Sequence, residues 1–282
     1  MTAPTVSVII PTYNWSSVLR YAIQSVRWQS FQDFELLVVG DGCTDDSAEV
    51  VASFGDARIR WYNLPRNSGN QSAPNNFGIE QARGRYIAYL GHDDLWYPNH
   101  LELLVQASEA KHADFACSVV VMIGPPPSGI RIVKGAVGPL GPGTLAPPSG
   151  TMHRRAVVAE IGGWKDYREI DLPPDSEFVQ RAWNLGKRFA AVPALTVFKF
   201  NSAWRPGSYM QKSCAEQAEY ARRIVSEPDF LEREQQAIDL AYATGKTFCP
   251  TDSMMPPCPK NAPRGWRVEQ FRRIRGLPPG TS

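Results

Sequence analysis

The stretch Tyr86-Ile87-Ala88-Tyr89-Leu90-Gly91-His92-Asp93-Asp94 decides how this chain is read. Its first five residues form a short apolar run with the character of a buried strand, and Gly91-His92 forms the turn that ends it. Asp93 and Asp94 then place two carboxylates side by side at the strand end. Adjacent carboxylates repel, and the repulsion is offset where a cation lies between them and a ligand. Hard oxygen donors suit Mg²⁺ or Mn²⁺, and Mg²⁺ usually takes one or two carboxylates together with substrate phosphates. An Asp-Asp pair by itself is more often a turn or a helix cap, so its meaning rests on its surroundings.

Upstream, strand and helix alternate. Thr5–Ile10 is a β-rich run closed by Pro11-Thr12. Ser16 or Ser17 stands at the start of a helix whose apolar positions Val18, Leu19, Ala22, Ile23 and Val26 keep the helical period. Phe34–Val39 is a continuous apolar strand ended by Gly40-Asp41-Gly42, and Asp45 or Asp46 opens the next helix. Arg58–Tyr62 is a third strand, and the polar loop Pro65–Gln71 leads into a helix reaching Ala82. Strands that are apolar throughout, joined by helices, predict a parallel sheet covered on both faces. Polar and acidic residues gather just after the first, second and fourth strands, the carboxyl ends at which open α/β sheets bind ligands.

Downstream the character changes. Between Gly124 and Gly150 about half the residues are Gly or Pro, which predicts a mobile lid or loop, or a partly disordered segment. Regular structure resumes at Thr151, with a helix over Asp175–Leu185 and strands over Phe189–Val192 and Thr196–Phe200. Met210–Ala243 reads as helical with a break at Pro228. From Phe248 the chain is proline-rich and then basic, with Lys260, Arg264, Arg267, Arg272, Arg273 and Arg275 facing Glu269 alone. With Trp266, Val268 and Phe271 interleaved, this tail reads as a solvated end helix or as a surface that rests on an anionic membrane. The expected division is a main domain over 1–205 with halves 1–110 and 111–205, a helical extension over 206–247, and the tail over 248–282.

The 282 residues are 43% hydrophobic and 21% charged, an ordinary globular balance. A net charge of +2 is too even for a dedicated nucleic-acid binder. No apolar stretch has membrane-spanning length, and Met1-Thr2-Ala3-Pro4 runs straight into the first strand without the pattern of a signal peptide. Cys43, Cys117, Cys214, Cys249 and Cys258 are odd in number and scattered, so reduced thiols in a cytosolic protein are expected. Cys249 and Cys258 have no nearby His or Cys pair to complete a zinc site.

Taken together, the pieces Val6-Ser7-Val8-Ile9-Ile10-Pro11-Thr12-Tyr13-Asn14, Phe34-Glu35-Leu36-Leu37-Val38-Val39-Gly40-Asp41-Gly42, Asn67-Ser68-Gly69, Asn76-Phe77-Gly78-Ile79, Ala82-Arg83-Gly84 and Asp93-Asp94 keep a specific order and spacing. Over residues 4–110 the chain resembles an inverting family 2 glycosyltransferase of the GT-A fold, with a weaker likeness from Thr151 to Tyr209. The resemblance implies an α/β fold with a mostly parallel sheet, helices on both faces and a helical C-terminal extension. It also implies a nucleotide-sugar donor, a divalent metal (Mn²⁺ or Mg²⁺) and an acceptor hydroxyl on a glycan, glycolipid or other glycoconjugate. In its terms Pro11, Thr12 and Tyr13 contact base and ribose, Asp41 accepts from a base N–H, and Asn67 and Asn76 belong to the donor-binding pieces. Asp93 bonds the ribose and helps place the metal, while Asp94 is the direct metal ligand. The acidic run Pro174-Asp175-Ser176-Glu177 supplies the general base, Asp175 first and Glu177 as fallback. His153 either contacts donor or acceptor or is a satisfied structural histidine, and Trp204 and Tyr209 either stack on sugar or belong to the core.

Several positions depart from the family pattern. Many relatives have a second acid at Gly40, another at Gly91, an Arg at Asn75 and a His at Asn201. The cation lost at Asn75 is then either missing or replaced by Arg66 or Arg83. These losses motivate an alternative, a lapsed enzyme that binds or scaffolds without turnover, against which the retained Asp93, Asp94 and Asp175 argue. A nucleotidyltransferase would need a Gly-rich basic loop after the first strand, where Pro11-Thr12-Tyr13-Asn14-Trp15 stands instead. An acid at Asp41 suits uracil N3–H, so UDP is the first expectation for the nucleotide.

Overall fold

The computed structural model describes residues 3–138, 140–144, 146–248, 250 and 254–278. Nine strands form one sheet: β1 (Val6–Thr12), β2 (Phe34–Gly40), β3 (Ile59–Asn63), β4 (Tyr86–Tyr89), β5 (Leu95–Trp96), β6 (Phe115–Ile123), β7 (Arg131–Gly135), β8 (Thr151–Arg154) and β9 (Phe189–Lys199). Their order is β3-β2-β1-β4-β8-β6-β9-β5, with β7 paired to β6 off that path. The first four strands are mutually parallel, as their apolar runs predict. β8 then enters antiparallel between β4 and β6, and β6 and β9 run parallel, so the second half of the sheet is mixed.

Strand alternation distributes the core to two faces. Val8, Ile10, Leu36 and Val38 point to the side of the helices Ser16–Arg27 and His100–Ala110. Ile9, Leu37, Val39 and Ile87 point to the other, where Phe178 and Ala182 of the helix Pro174–Asn184 close the layer. All seven residues of β2 are buried, in keeping with its apolar run Leu36–Val39, and its single charged residue, Glu35, is held by Ser7, Arg60 and Arg83. The helices Ala215–Ser226 and Phe230–Ala243 bring Tyr220, Ile224, Phe230 and Ile238 onto Val121 of β6 and Phe198 of β9. The helical extension is therefore packed on the sheet.

Local readings differ in instructive ways. The serine caps expected for the first helix are replaced by a carboxylate from further along: Asp45 accepts from the Ser16 amide at 3.1 Å, and Ser16 Oγ donates to Asp46 at 2.6 Å. The two strands expected over Phe189–Val192 and Thr196–Phe200 are one strand, β9, whose register against β6 shifts between Ser118 and Val120. The segment 124–150 is not a bare lid, because β7 folds back on β6 as a hairpin arm and Pro148–Gly150 forms a 3₁₀ turn under β4. The tail is not free either, since its helix Trp266–Arg275 packs on Ser202–Trp204 and Ser208–Gln211. Among the described cysteines Cys43, Cys117, Cys214 and Cys258 are all free thiols, while Cys249 lies outside the described residues. Among the described residues no helix is long and apolar enough to cross a membrane.

Candidate active site

A cleft of about 600 Å³ opens at the carboxyl ends of β1, β2 and β4. Its floor comes from Pro11, Thr12 and Tyr13 at the end of β1, Asp41 after β2, and His92 and Asp93 after β4. Asp175 at the start of the helix Pro174–Asn184 and Lys199 at the end of β9 enter from the other half of the sheet. Met122, Ile132, Lys134 and Pro147 form a further wall, so the Gly/Pro-rich segment contributes directly to the cleft.

Asp41 is 4% exposed and organises the loop that faces it. Its carboxylate accepts from the Ser68 amide at 2.9 Å, the Gly69 amide at 3.3 Å and Asn67 Nδ2 at 3.0 Å. Burial raises its pKa, against the pull of the Ser68 and Gly69 donors. Gly40 departs from the acidic pattern for a steric reason: a Cβ there would meet Asn63 Oδ1 at 2.6 Å and the Trp61 ring at 2.7 Å.

His92 bridges the floor. Its Nδ1 lies 2.8 Å from Thr12 Oγ1 and its Nε2 3.1 Å from Tyr209 OH, and burial lowers its pKa, favouring the neutral ring. Tyr209, open between stacking and core in the sequence, thus lines the cleft while bracing His92. His153 is the satisfied structural histidine, with Nε2 2.8 Å from Tyr89 OH, Nδ1 2.9 Å from Arg154 O, and a pKa pushed down to about 4 by burial.

The two adjacent aspartates differ in their partners, although oxygens of both lie within 3.3 Å of where a Cβ on Gly91 would stand. Asp93 lines the cleft, and among the described residues no donor reaches its carboxylate. Asp94 is fully buried, accepting from Ser149 Oγ at 2.5 Å, Lys199 Nζ at 2.9 Å and the Phe200 amide at 3.2 Å. Asp94, the expected direct metal ligand, has its oxygens engaged here by Ser149, Lys199 and the Phe200 amide. Lys199 keeps its proton beyond the ordinary lysine range: burial opposes this, but Asp94, Asp93 and Asp175 all favour the ammonium. Among the described residues no group of three His, Cys, Asp or Glu side chains is placed to hold a metal by itself. One unengaged carboxylate is nonetheless what Mg²⁺ or Mn²⁺ needs from a protein when substrate phosphates complete the shell, so Asp93 fits the metal that the fold implies.

Asp175 sits one residue into its helix behind Pro174, and its Oδ1 accepts from the Ser176 amide at 2.9 Å. Burial raises its pKa. Glu177 is paired with Arg181 at 2.6 Å and Lys165 at 3.3 Å and does not line the cleft. Asn76 is likewise not a cleft residue: its Nδ2 donates to Trp164 O and its Oδ1 accepts from the Trp164 amide, both at 2.8 Å. A side chain at Gly163 would strike that amide, with a Cβ 2.5 Å from Asn76 Oδ1. Arg83 does not replace the cation lost at Asn75, because it pairs with Glu35 near the start of β2, the opposite end of the sheet. Arg66 is exposed and does not line the cleft. Arg272 and Arg275 of the tail helix do line it.

Sequence reasoning missed Lys199, Ser149 and the two tail arginines. Lys199 had a signal, a lone lysine between Phe198 and Phe200 at the end of an apolar strand. Ser149 and the arginines had none, because only long-range packing brings them in.

This chain matches the model of Glycosyl transferase family 2 over residues 7–157, and it belongs to that family. An uncharacterized glycosyltransferase of Rickettsia typhi is 38% identical over 100 residues, 36% of this chain and 30% of that protein. Escherichia coli WfgD, named a UDP-Glc:alpha-D-GlcNAc-diphosphoundecaprenol beta-1,3-glucosyltransferase, is 36% identical over 100 residues, 36% of this chain and 39% of that one. The chain thus spans well under half the length of these curated relatives. In structure it is similar to S. aureus TarS 1-349 in complex with UDP-GlcNAc, with a TM-score of 0.61 at 20% identity, covering 80% of this chain and 67% of that one. It is also similar to the mannosyltransferase PcManGT of Pyrobaculum calidifontis in complex with GDP-Man and Mn2+, with a TM-score of 0.57 at 15% identity over 90% and 79% of the two chains. The fold is GT-A.

Proposed function

We propose that this chain transfers a sugar from a nucleoside-diphosphate donor to an acceptor hydroxyl in one inverting displacement. The observation that carries the reading is the meeting in one cleft of Asp41, Asp93 and Asp175, contributed by three separate segments at the carboxyl ends of the sheet. The base lies against Pro11, Thr12 and Tyr13, with Asp41 and Asn67 at its polar edge. Asp93, whose carboxylate accepts no hydrogen bond among the described residues, would hold a divalent cation, which would supply Lewis-acid stabilisation of the departing nucleoside diphosphate. Lys199, held in place by Asp94, adds a fixed positive charge beside the same group. Asp175 takes the proton of the attacking hydroxyl, a role that a raised carboxylate pKa suits.

UDP is the proposed nucleotide, because an acid at Asp41 matches uracil N3–H and the TarS neighbour is in complex with UDP-GlcNAc. The acceptor we propose is a glycan or glycolipid of surface polysaccharide assembly, in keeping with the lipid-linked acceptor in the name of WfgD. Arg267 and Arg273, exposed on the tail helix, are the cations available for peripheral contact with the inner membrane face.

Calorimetric titration with UDP, GDP and dTDP, each with Mn²⁺ and with EDTA, tests the reading. Metal-dependent binding of UDP is the expected result. A folded protein that binds none of the three would overturn it and favour a scaffolding role.

A further inference from the structure

The family pattern places an arginine where this chain has Asn75, and Asn75 is fully buried, with neither amide atom hydrogen-bonded among the described residues. The cleft is nevertheless supplied with cations, from a segment outside both the matched region and the resemblance. The helix Trp266–Arg275 is fastened across the nucleotide end by three separate ties. Tyr167 OH donates to Glu269, the Gly207 amide donates to Ile274 O at 2.8 Å, and Arg272 Nη1 donates to Gly69 O. Arg272 is only 2% exposed. Because Gly69 and Ser68 donate to Asp41, Arg272 holds the far side of the loop whose near side Asp41 holds.

Arg275 is differently placed. Its Nε donates to Phe271 O at 3.0 Å, and it forms no ion pair among the described residues although it lines the cleft. It shares the cleft lining with His92, Asp93 and Tyr209. A guanidinium that lines a cleft and forms no ion pair among the described residues matches the chemistry of a phosphate contact.

We propose that the C-terminal helix is a wall of the donor site, with Arg275 contacting the donor diphosphate and Arg272 positioning the Asn67–Gly69 loop against the base. The inference rests on the nucleotide-sugar reading above. It assigns the tail to donor recognition, and the cation absent from position 75 is restored from a remote part of the chain.

The test uses the full chain and two ligand pairs, UDP with uridine and GDP with guanosine, titrated with Mn²⁺ present. Arg275→Gln keeps a polar, hydrogen-bonding side chain, shorter than arginine, and removes its charge. It is expected to weaken diphosphate binding about tenfold to a hundredfold, the loss of a charge-assisted contact, while nucleoside binding stays within about twofold. Arg272→Lys is expected to weaken nucleoside and diphosphate alike, because the loop under the base is released. Arg275→Gln that binds the diphosphate as wild type does, or that loses nucleoside and diphosphate equally, would overturn the assignment. Failure of the wild-type chain to bind any nucleotide overturns the transfer reading itself, and is seen before either variant is tested.

Discussion

Asp93 and Asp94 are neighbours in sequence with different surroundings, and replacing each with alanine separates their proposed roles. Asp94→Ala leaves the Lys199 ammonium without its partner, and leaves Ser149 Oγ and the Phe200 amide without their acceptor. Removing one member of a buried pair costs about 3–5 kcal/mol. The Lys199 side chain is 21% exposed, so water screens part of that charge and the lower end, about 3 kcal/mol, is the better figure for the ion pair. The two stranded donors add about 1 kcal/mol each at most, since both can relax toward the space left. At about 2 °C per kcal/mol for a chain of this size, the melting temperature falls by roughly 6–10 °C. Asp93→Ala removes a carboxylate that accepts no hydrogen bond among the described residues, so its melting temperature stays within about 2 °C of wild type. Thermal denaturation followed by circular dichroism measures the first difference, and calorimetry with UDP and Mn²⁺ measures the second. Asp93→Ala is expected to lose the Mn²⁺-dependent part of UDP binding while remaining folded. The reasoning fails if Asp94→Ala melts with wild type and loses the Mn²⁺ response while Asp93→Ala keeps it.

Asp175→Asn should bind UDP as wild type does and lower kcat by about 10²–10⁴-fold, as measured by donor turnover. Because burial raises the Asp175 pKa and the base must be deprotonated, activity is lost as pH falls through a value above the usual aspartate figure of about 3.9. A pH–rate profile with its acidic limb at or below that figure would count against the assignment. Asn76→Ala should destabilise the fold by about 1–3 kcal/mol through the loss of both Trp164 bonds and leave the UDP Kd unchanged, which denaturant titration and calorimetry read separately. Glu35 has a depressed pKa despite an opposing burial effect, because the Ser7 hydroxyl and Arg83 hold its carboxylate form. Its stabilisation is present above the unfolded glutamate pKa and is lost as pH falls through the lower folded value. The melting-temperature gap between wild type and Glu35→Gln should therefore be wide at pH 7 and shrink below about pH 4.

The donor half was legible because its signals are local. Unbroken apolar runs such as Phe34–Val39 announce strands buried on both faces, and each is followed directly by the residue that reaches the cleft, as Asp41 follows β2. What sequence could not assign was direction. Side chains at consecutive positions after a strand leave in different directions, and nothing in Asp93-Asp94 states which enters the cleft. The answer depends on Ser149 and Lys199, 55 and 105 positions away from Asp94. The helix of the tail misled for a related reason. Its charges read as a solvated face, yet Arg272 is buried with its N–H groups donating to Gly69 O and Pro278 O, and no periodicity encodes those partners. The hairpin arm β7 was hidden by the glycines and prolines around it, although Arg131–Gly135 itself contains the β-branched pair Ile132-Val133.

The insertion of β8 between β4 and β6 has a mechanical consequence. His153 lies opposite Ile87 on one side and opposite Phe115 on the other, so a single strand laces both halves of the sheet into one plate. Bending the halves apart would rupture backbone ladders on both sides of β8, each bond worth about 1 kcal/mol. The scaffold under the cleft is therefore one stiff surface, and the parts of the cleft wall laid on it from outside that seam are the β7 arm, paired to β6, and the C-terminal helix.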